Sequence, residues 1–301
     1  MSEAGDAPVA PLGYSLRGRF KLVEVIGEGG INTVYRAVDR IGAWACEANP
    51  DVAIKVIRPH TPPRPELISL LHREARLLRD LVHPNLVRVY DSDYDGRYHF
   101  LIMELLQGRS LATIMQERQG RPLSPDVSSR IIRSLGSGLE HMHRLGVVHG
   151  DLKPGNVFMT SEGEVKILDF GTALALDTGL QQDGRDTTEA LLDRVGLVTP
   201  SYASLEMLSG HPRAESDDVY SLAVLAYFAL TGAHPFQQRS AEEAQKDGLS
   251  PAPPPGLPAD QWHVLASGLA LDRRNRVQSV GEFTRRLRRP SWRDRLFGRP
   301  P

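Results

Sequence analysis

The chain has 301 residues, 41% hydrophobic and 24% charged, enough apolar material to bury a sizeable core, which excludes a mini-protein, a fibre or a disordered polymer. Lys and Arg (36) nearly match Asp and Glu (37), and the resulting net charge of -1 argues against nucleic acid held on a broadly positive surface. The single Cys46 excludes an intrachain disulfide and any multi-cysteine metal site, and fits a reducing, cytoplasmic setting.

Residues 1–18, with Pro8, Pro11 and many small residues, read as a flexible lead-in without a basic or apolar secretory signal. From Phe20 the runs FKLVEVIG (20–27), NTVYRAVD (32–39) and DVAIKVIRP (51–59) are β-branched stretches of an antiparallel meander. Gly27, Gly29 and Gly30 lie between the first two runs, where missing side chains let backbone N–H groups approach phosphate oxygens; taken alone, the same pattern is an ordinary hairpin turn. Period-two alternation sets Ala53 and Lys55 on one face and Val52, Ile54 and Val56 on the other.

An ammonium on such a face needs a partner. A helix over 65–82, with a stripe of Leu67, Leu70, Leu71, Ala75 and Leu78, carries Glu74 on that stripe and answers two burial costs at once by pairing with Lys55. The plainer alternative is a snorkelling lysine and a helix-edge glutamate. Short strands at Leu86 to Tyr90 and Tyr98 to Glu104 complete the β-rich part.

After Gly108 the pattern turns helical: Val127, Ile131, Leu135, Leu139 and Met142 keep an i, i+4 rhythm that stops at Gly146. Val147 and Val148, Asn156 to Met159 and Val165 to Leu168 are short apolar pieces suited to strands. The longest apolar run, Leu222 to Leu230, is about half of the ~20 residues a membrane span needs and reads as a buried helix of a soluble protein. A Pro-rich loop (251–258) and a last helical stretch from Trp262 to Leu287 follow.

The chemistry-bearing segment is HGDLKPGN (149–156), followed by DFG (169–171). With the glycine-rich turn, VAIK (52–55) and Glu74, in that order, the chain resembles the eukaryotic-type Ser/Thr protein kinase domain over residues 19 to 289, in the style of its bacterial members. The resemblance implies an α+β, bilobal fold, with a small β-rich N-lobe (19–106), a larger, mainly helical C-lobe (107–289) and a basic tail (290–301). It implies ATP with Mg²⁺, or Mn²⁺, and a protein Ser/Thr acceptor, in bacterial signalling.

Carried over by the same resemblance, Asp151 accepts the hydroxyl proton, Lys153 stabilises the transferred phosphoryl group, Asn156 and Asp169 hold the metal, and Lys55 grips the phosphates with Glu74 fixing it. Gly27, Gly29 and Gly30 cover the phosphates. Adenine lies between Val34 and Ala53 on one side and Phe158 on the other, beside Met103 and the backbone of Glu104 and Leu106. Leu78, Val89, His149 and Phe170 form an apolar spine anchored through Asp218. Glu206 pairs with Arg276, and Thr199 bridges Asp151 and Lys153 in a loop, TPSYASLEM (199–207), that resembles the peptide-positioning segment. Only five lysines occur among the 36 basic residues, and two of them fill these slots, which favours function over chance.

There are departures. Gly150 stands where the family has Arg, implying activity that does not depend on a phosphorylated loop, and Asn32 and Ala223 stand where glycines are expected. Thr187 and Thr188 read equally as phosphosites or as part of a capping box opening a short helix. Two other functions stay open here. H-G-D also resembles small-molecule phosphotransferases of the aminoglycoside and choline kinase type, and a catalytically silent ATP-binding scaffold would keep the fold. From Thr284 to Pro301 seven Arg face one Asp, a solvated face or, with Trp292, Leu296 and Phe297, a weak contact for an anionic membrane or an acidic partner.

Overall fold

Alternation of apolar and polar side chains builds the first part of the chain into a sheet. The computed structural model describes residues 8–28, 32–46, 49–57, 81–169, 174–175 and 199–288. Ser15–Leu16 (β1), Phe20–Glu28 (β2), Asn32–Asp39 (β3), Asp51–Ile57 (β4), Val89–Tyr94 (β5) and His99–Glu104 (β6) form an antiparallel sheet in the order β1-β2-β3-β4-β6-β5. One face buries Leu22, Tyr35, Ala37, Ile54, Val56 and Phe100 completely, with Leu16 and Phe20 beside them. Because directly opposed residues share a face, the register sets Val34, Lys55 and Leu101 in one row and Ala53 against Met103, on the opposite side from that core.

Part of the expected lead-in is folded. Ala10 is fully buried, its N–H donating to the Tyr35 hydroxyl at 2.7 Å while that hydroxyl donates back to the Ala10 carbonyl at 2.8 Å. A short helix that the sequence pattern does not reveal, Arg40–Trp44 (α1), follows β3; Asp39 caps it and pairs with Arg19 at 2.6 Å, and the hydrogen bond from Arg19 holds the Asp39 carboxyl below its ordinary range despite burial. The helix expected over 65–82 lies, except for its last two positions, outside the described residues, as does the tail beyond 288.

Contacts divide the chain into two units: Met1–His83 with Val87–Gln107, and Pro84–Leu86 with Gly108–Pro301. That division splits the strand expected at Leu86 to Tyr90. Leu86 bridges to Ile167 in the second unit, while the strand in the first unit runs from Val89.

In chain order the second unit has Gly108–Ser110 (β7), Leu111–Glu117 (α2), Pro125–Arg144 (α3), Val147–Val148 (β8), a 3₁₀ turn at Pro154–Asn156, Val157–Thr160 (β9), Val165–Ile167 (β10) and Leu174–Ala175 (β11). Leu205–Leu208 (α4), Glu215–Thr231 (α5), Ala241–Lys246 (α6), Ala259–Gly268 (α7) and Val280–Leu287 (α8) follow. Helix α3 starts at Ser124, whose hydroxyl accepts from the Val127 N–H, with Pro125 at the tolerated first position; it ends at Gly146, which takes the left-handed conformation (φ 69°). Ile131, Leu135, Leu139 and Met142 face inward as their spacing predicts. No described helix is long and apolar enough to cross a membrane.

The helical stretch expected from Trp262 to Leu287 is two helices, α7 and α8. Between them Arg276 turns inward and its guanidinium is wholly buried, donating to the carbonyls of Ala270, Leu271 and Ser216 and pairing with Glu206 at 2.9 Å. Satisfying that many donors takes irregular backbone, which ends the helix.

Helix α5 is buried on nearly every side. Where the resemblance leads one to expect glycine it carries Ala223, and the room for close packing comes from α7: a Cβ on Gly268 would lie 2.8 Å from the Ala223 Cβ and 2.6 Å from the Phe283 ring. Gly268→Ala is therefore expected to cost ~1–3 kcal/mol by overpacking, with Ala223→Gly in the same chain recovering part of the loss; urea unfolding of the single and double variants checks both.

Candidate active site

The loop after β8 is organised by a carboxylate from α5. Asp218 is fully buried, and its oxygens accept the His149 N–H and the Gly150 N–H, each at 2.9 Å, and the His143 Nε2 at 2.7 Å. Burial alone would push the Asp218 carboxyl up, but the His143 hydrogen bond and charge, with the Gly150 N–H, leave it below its ordinary 3.8. Burial likewise opposes the His143 imidazolium, yet Asp218, with Glu215 at 3.6 Å from Nδ1, raises it above 6.5.

With two consecutive amides bound to one carboxylate, the chain turns sharply. Gly150 has φ 75°, a conformation that costs a side-chain-bearing residue ~1 kcal/mol or more, so glycine at this position relieves strain at the bend. Its carbonyl accepts from the buried Arg213 at 3.1 Å. The Asp151 N–H donates to His149 Nδ1 at 3.2 Å, and His149 Nε2 is 3.3 Å from the Leu168 carbonyl, tying this loop to the strand end before Asp169.

Asp151 then stands at the centre of a polar cluster. Lys153 Nζ lies 2.7 Å from Asp151 Oδ2 and donates to Thr199 Oγ1 at 2.7 Å, while the Thr199 N–H donates to Asp151 Oδ1 at 3.2 Å. Asn156 Nδ2 donates to the Asp151 carbonyl at 2.9 Å and to Oδ2 at 3.2 Å, so its oxygen is the atom that could ligate a cation. Asp169 is exposed and has φ 53°, an uncommon conformation for a residue other than glycine and one that Asp tolerates better than most.

A second ionic centre braces the loop at 199–207. Glu206 accepts the Arg273 N–H at 2.6 Å beside its pair with Arg276; burial would raise its carboxyl, but the Arg276 charge holds it low. Asp217, fully buried, takes Arg273 at 2.9 Å, the Ser204 hydroxyl at 2.8 Å and the Ala214 N–H at 2.8 Å.

In the first unit, Lys55 and Ala53 are 6% and 5% exposed and share the face that carries Val34, with Gly27 opposite Val34 in the next strand. Met103, Glu104 and Leu106 are half-buried, and the Glu104 N–H donates to the Arg88 carbonyl at 2.9 Å. Phe158 sits in β9 opposite Lys166. Gly29, Gly30, Glu74, Leu78, Phe170, Thr187 and Thr188 lie outside the described residues. The sequence reading brought Asp151, Lys153, Asn156 and Thr199 together and named Asp218; it missed His143, Arg213, Arg273 and Asp217. Only His143 left a trace, as a polar residue four positions after Leu139 on the buried stripe of α3.

A model of the protein kinase domain matches residues 20–257. The serine/threonine-protein kinase PknA of Mycobacterium tuberculosis is 34% identical over 283 residues, covering 90% of this chain and 61% of PknA. A probable serine/threonine-protein kinase PknB of Bifidobacterium longum is 31% identical, covering 88% of this chain and 39% of that protein. The chain thus spans about 61% of the length of PknA, the longer share of the two. The crystal structure of the M. tuberculosis PknI kinase domain superposes with a TM-score of 0.67 at 23% identity, covering 92% of this chain and 98% of that one, a likeness of fold.

Two outcomes follow from the buried loop anchor. Gly150→Ala should lower stability by ~1 kcal/mol, and Gly150→Asn by less, in chemical denaturation. Because the His143 pKa is raised on folding, its contribution is fully present below about pH 6.5 and lost as pH rises through the higher folded value, while the lowered Asp218 pKa keeps its carboxylate charged down to below 3.8. The stability difference between the natural chain and His143→Gln should therefore be larger near pH 6 than at pH 9; a difference independent of pH contradicts the ion pair.

Proposed function

The chain belongs to the protein kinase domain family, and from that premise we propose that it transfers the γ-phosphoryl group of ATP to Ser or Thr hydroxyls of proteins, in bacterial signalling. The observation that carries the reading is the cluster of Asp151, Lys153 and Thr199 within hydrogen-bonding distance. An acceptor hydroxyl held at Asp151 gives its proton to that carboxylate while its oxygen forms the new bond to phosphorus, and the bond to ADP breaks. Lys153 offsets charge on the transferred group. Thr199, bonded to both, borders the space where the acceptor must lie. Lys55, on the sheet face with Val34 and Ala53, has the compact cation suited to the other phosphates.

Asn156 and Asp169 are the residues that would hold the divalent ion, which the family uses with ATP to draw charge from the phosphates. Their hard oxygen donors would suit an ion such as Mg²⁺ that completes its shell with phosphate and water. Glu74 would fix Lys55, Gly27, Gly29 and Gly30 would cover the phosphates, and Met103, Glu104, Leu106 and Phe158 would line the base, over a kinase domain of 19–289.

Lys153 held by Thr199 favours a protein acceptor over a small-molecule one, and the presence of Lys55, Asp151 and Asp169 favours catalysis over a silent scaffold. Incubation with labelled ATP, Mg²⁺ and myelin basic protein should give Ser or Thr phosphorylation, with transfer by Asp151→Asn reduced by ~10²–10⁴-fold. ATP binding without any transfer to protein contradicts the reading.

A further inference from the structure

Two adjacent residues other than glycine, Gln237 and Gln238, are held at φ 55° and 64° beside a histidine, His234, that is only 6% exposed. Backbone in that region costs energy at each such residue, so it persists only where its surroundings fix it. His234 does the fixing. Its Nδ1 accepts the N–H groups of Phe236 and Gln238, each at 3.1 Å, and its Nε2 lies 2.9 Å from the carbonyl of Ser201. A carbonyl can only accept, so Nε2 carries the proton and Nδ1 does not, which makes the ring neutral with both nitrogens used. Burial also pushes its pKa below 6.5, in keeping with a neutral ring.

The far end of this arrangement is the loop at 199–204. Thr199 touches Asp151 and Lys153, and Thr199 and the two residues after it, Pro200 and Ser201, keep some accessible surface. A chain that presents a hydroxyl to Asp151 comes up against Thr199, and so against the loop that carries it. The loop is tied down residue by residue: Ser201 by His234, Tyr202 by Ser221, whose hydroxyl donates to its carbonyl at 2.8 Å, and Ser204 by Asp217. The Tyr202 ring stands edge-on to His234 at 5.3 Å, and its hydroxyl interacts with the Gln238 side chain, which the unusual backbone there presents.

We propose that His234 is a positioning residue for the polypeptide substrate: through Nε2–H and the Ser201 carbonyl it fixes the loop that borders the acceptor, while Nδ1 holds the bent segment 236–238 that supports it. This rests on the protein-kinase reading above. The two nitrogens can be separated by substitution. His234→Asn can place its oxygen near Nδ1 and keep the acceptor for Phe236 and Gln238, but it loses the donor to Ser201. His234→Gln can reach Ser201 with its amide N–H but loses the acceptor near the backbone.

In the full chain, with myelin basic protein as substrate, His234→Asn should raise KM for the protein by about three- to tenfold while KM for ATP stays constant, as loss of a single hydrogen bond at the substrate loop requires. His234→Gln should leave the protein KM near that of the natural chain and instead lower the melting temperature. An unchanged protein KM in His234→Asn, or an equal rise in both variants, overturns the assignment. If His234→Asn is not recovered folded, His234→Gln is read against His234→Ala, which keeps neither nitrogen: a protein KM raised in His234→Ala and restored in His234→Gln supports the proposal, and equal values in the two overturn it. If the natural chain transfers nothing to protein, the kinase reading fails and this proposal falls with it, an outcome distinct from unchanged KM values.

Discussion

Burying the Asp218 carboxylate without partners would cost several kcal/mol, and the second unit is arranged so that this never arises. Two backbone amides and an imidazole converge on it. Once His149 and Gly150 donate to the same carboxylate, the backbone between β8 and Asp151 has little freedom left, and the left-handed bend at Gly150 follows. Asp151 is the next residue. Its place beside Lys153, Asn156 and Thr199 is thus a consequence of a charge-assisted anchor made by α5, an element remote in sequence.

Helix α5 serves more than one loop. Asp217 and Asp218 are adjacent, about 100° apart around the helix, so one turns to the loop before α4 and the other to the loop after β8. One turn on from Asp217, Ser221 takes the Tyr202 carbonyl. Acidic residues in the first turn also suit the positive end of the helix. Being buried almost all round, the helix is a rigid support, and both the proposed base and the proposed substrate loop take their positions from it. Arg273 and Arg276 close the ring of charge around Asp217 and Glu206. Removing any one member leaves a buried charge exposed to low dielectric, which makes the ring sensitive to single substitutions.

Local rules carried the reading where the controlling interaction was itself local. The alternation at 52–56 put Lys55 and Ala53 on one face, as the register places them, and the stripe and terminal glycine of α3 gave its buried side and its end. Motif spacing brought Asp151, Lys153 and Asn156 together because the last lies only five positions after the first. It stopped where partners are distant in sequence. Nothing near Gly150 shows that Arg213 holds its carbonyl or that His143 and Asp218 form a pair 75 positions apart. The break between α7 and α8 escaped even though the Glu206 pair was expected, because it is the donation of Arg276 to the Ala270, Leu271 and Ser216 carbonyls that takes irregular backbone. Helix α1 escaped for another reason: five residues are too few for a period, and only its Asp39 cap marks it.

The dependence of the proposed base on α5 can be tested with Asp218→Asn, which keeps the size of the side chain and deletes its charge. Hydrogen exchange at the His149 and Gly150 amides, read with phosphoryl transfer on the same samples, is the direct measurement. Loss of the anion should speed exchange at both amides by tenfold or more, about 1.4 kcal/mol of lost protection, and transfer should fall with it. Amides as protected as in the natural chain, with transfer undiminished, would show that Asp151 is positioned without Asp218.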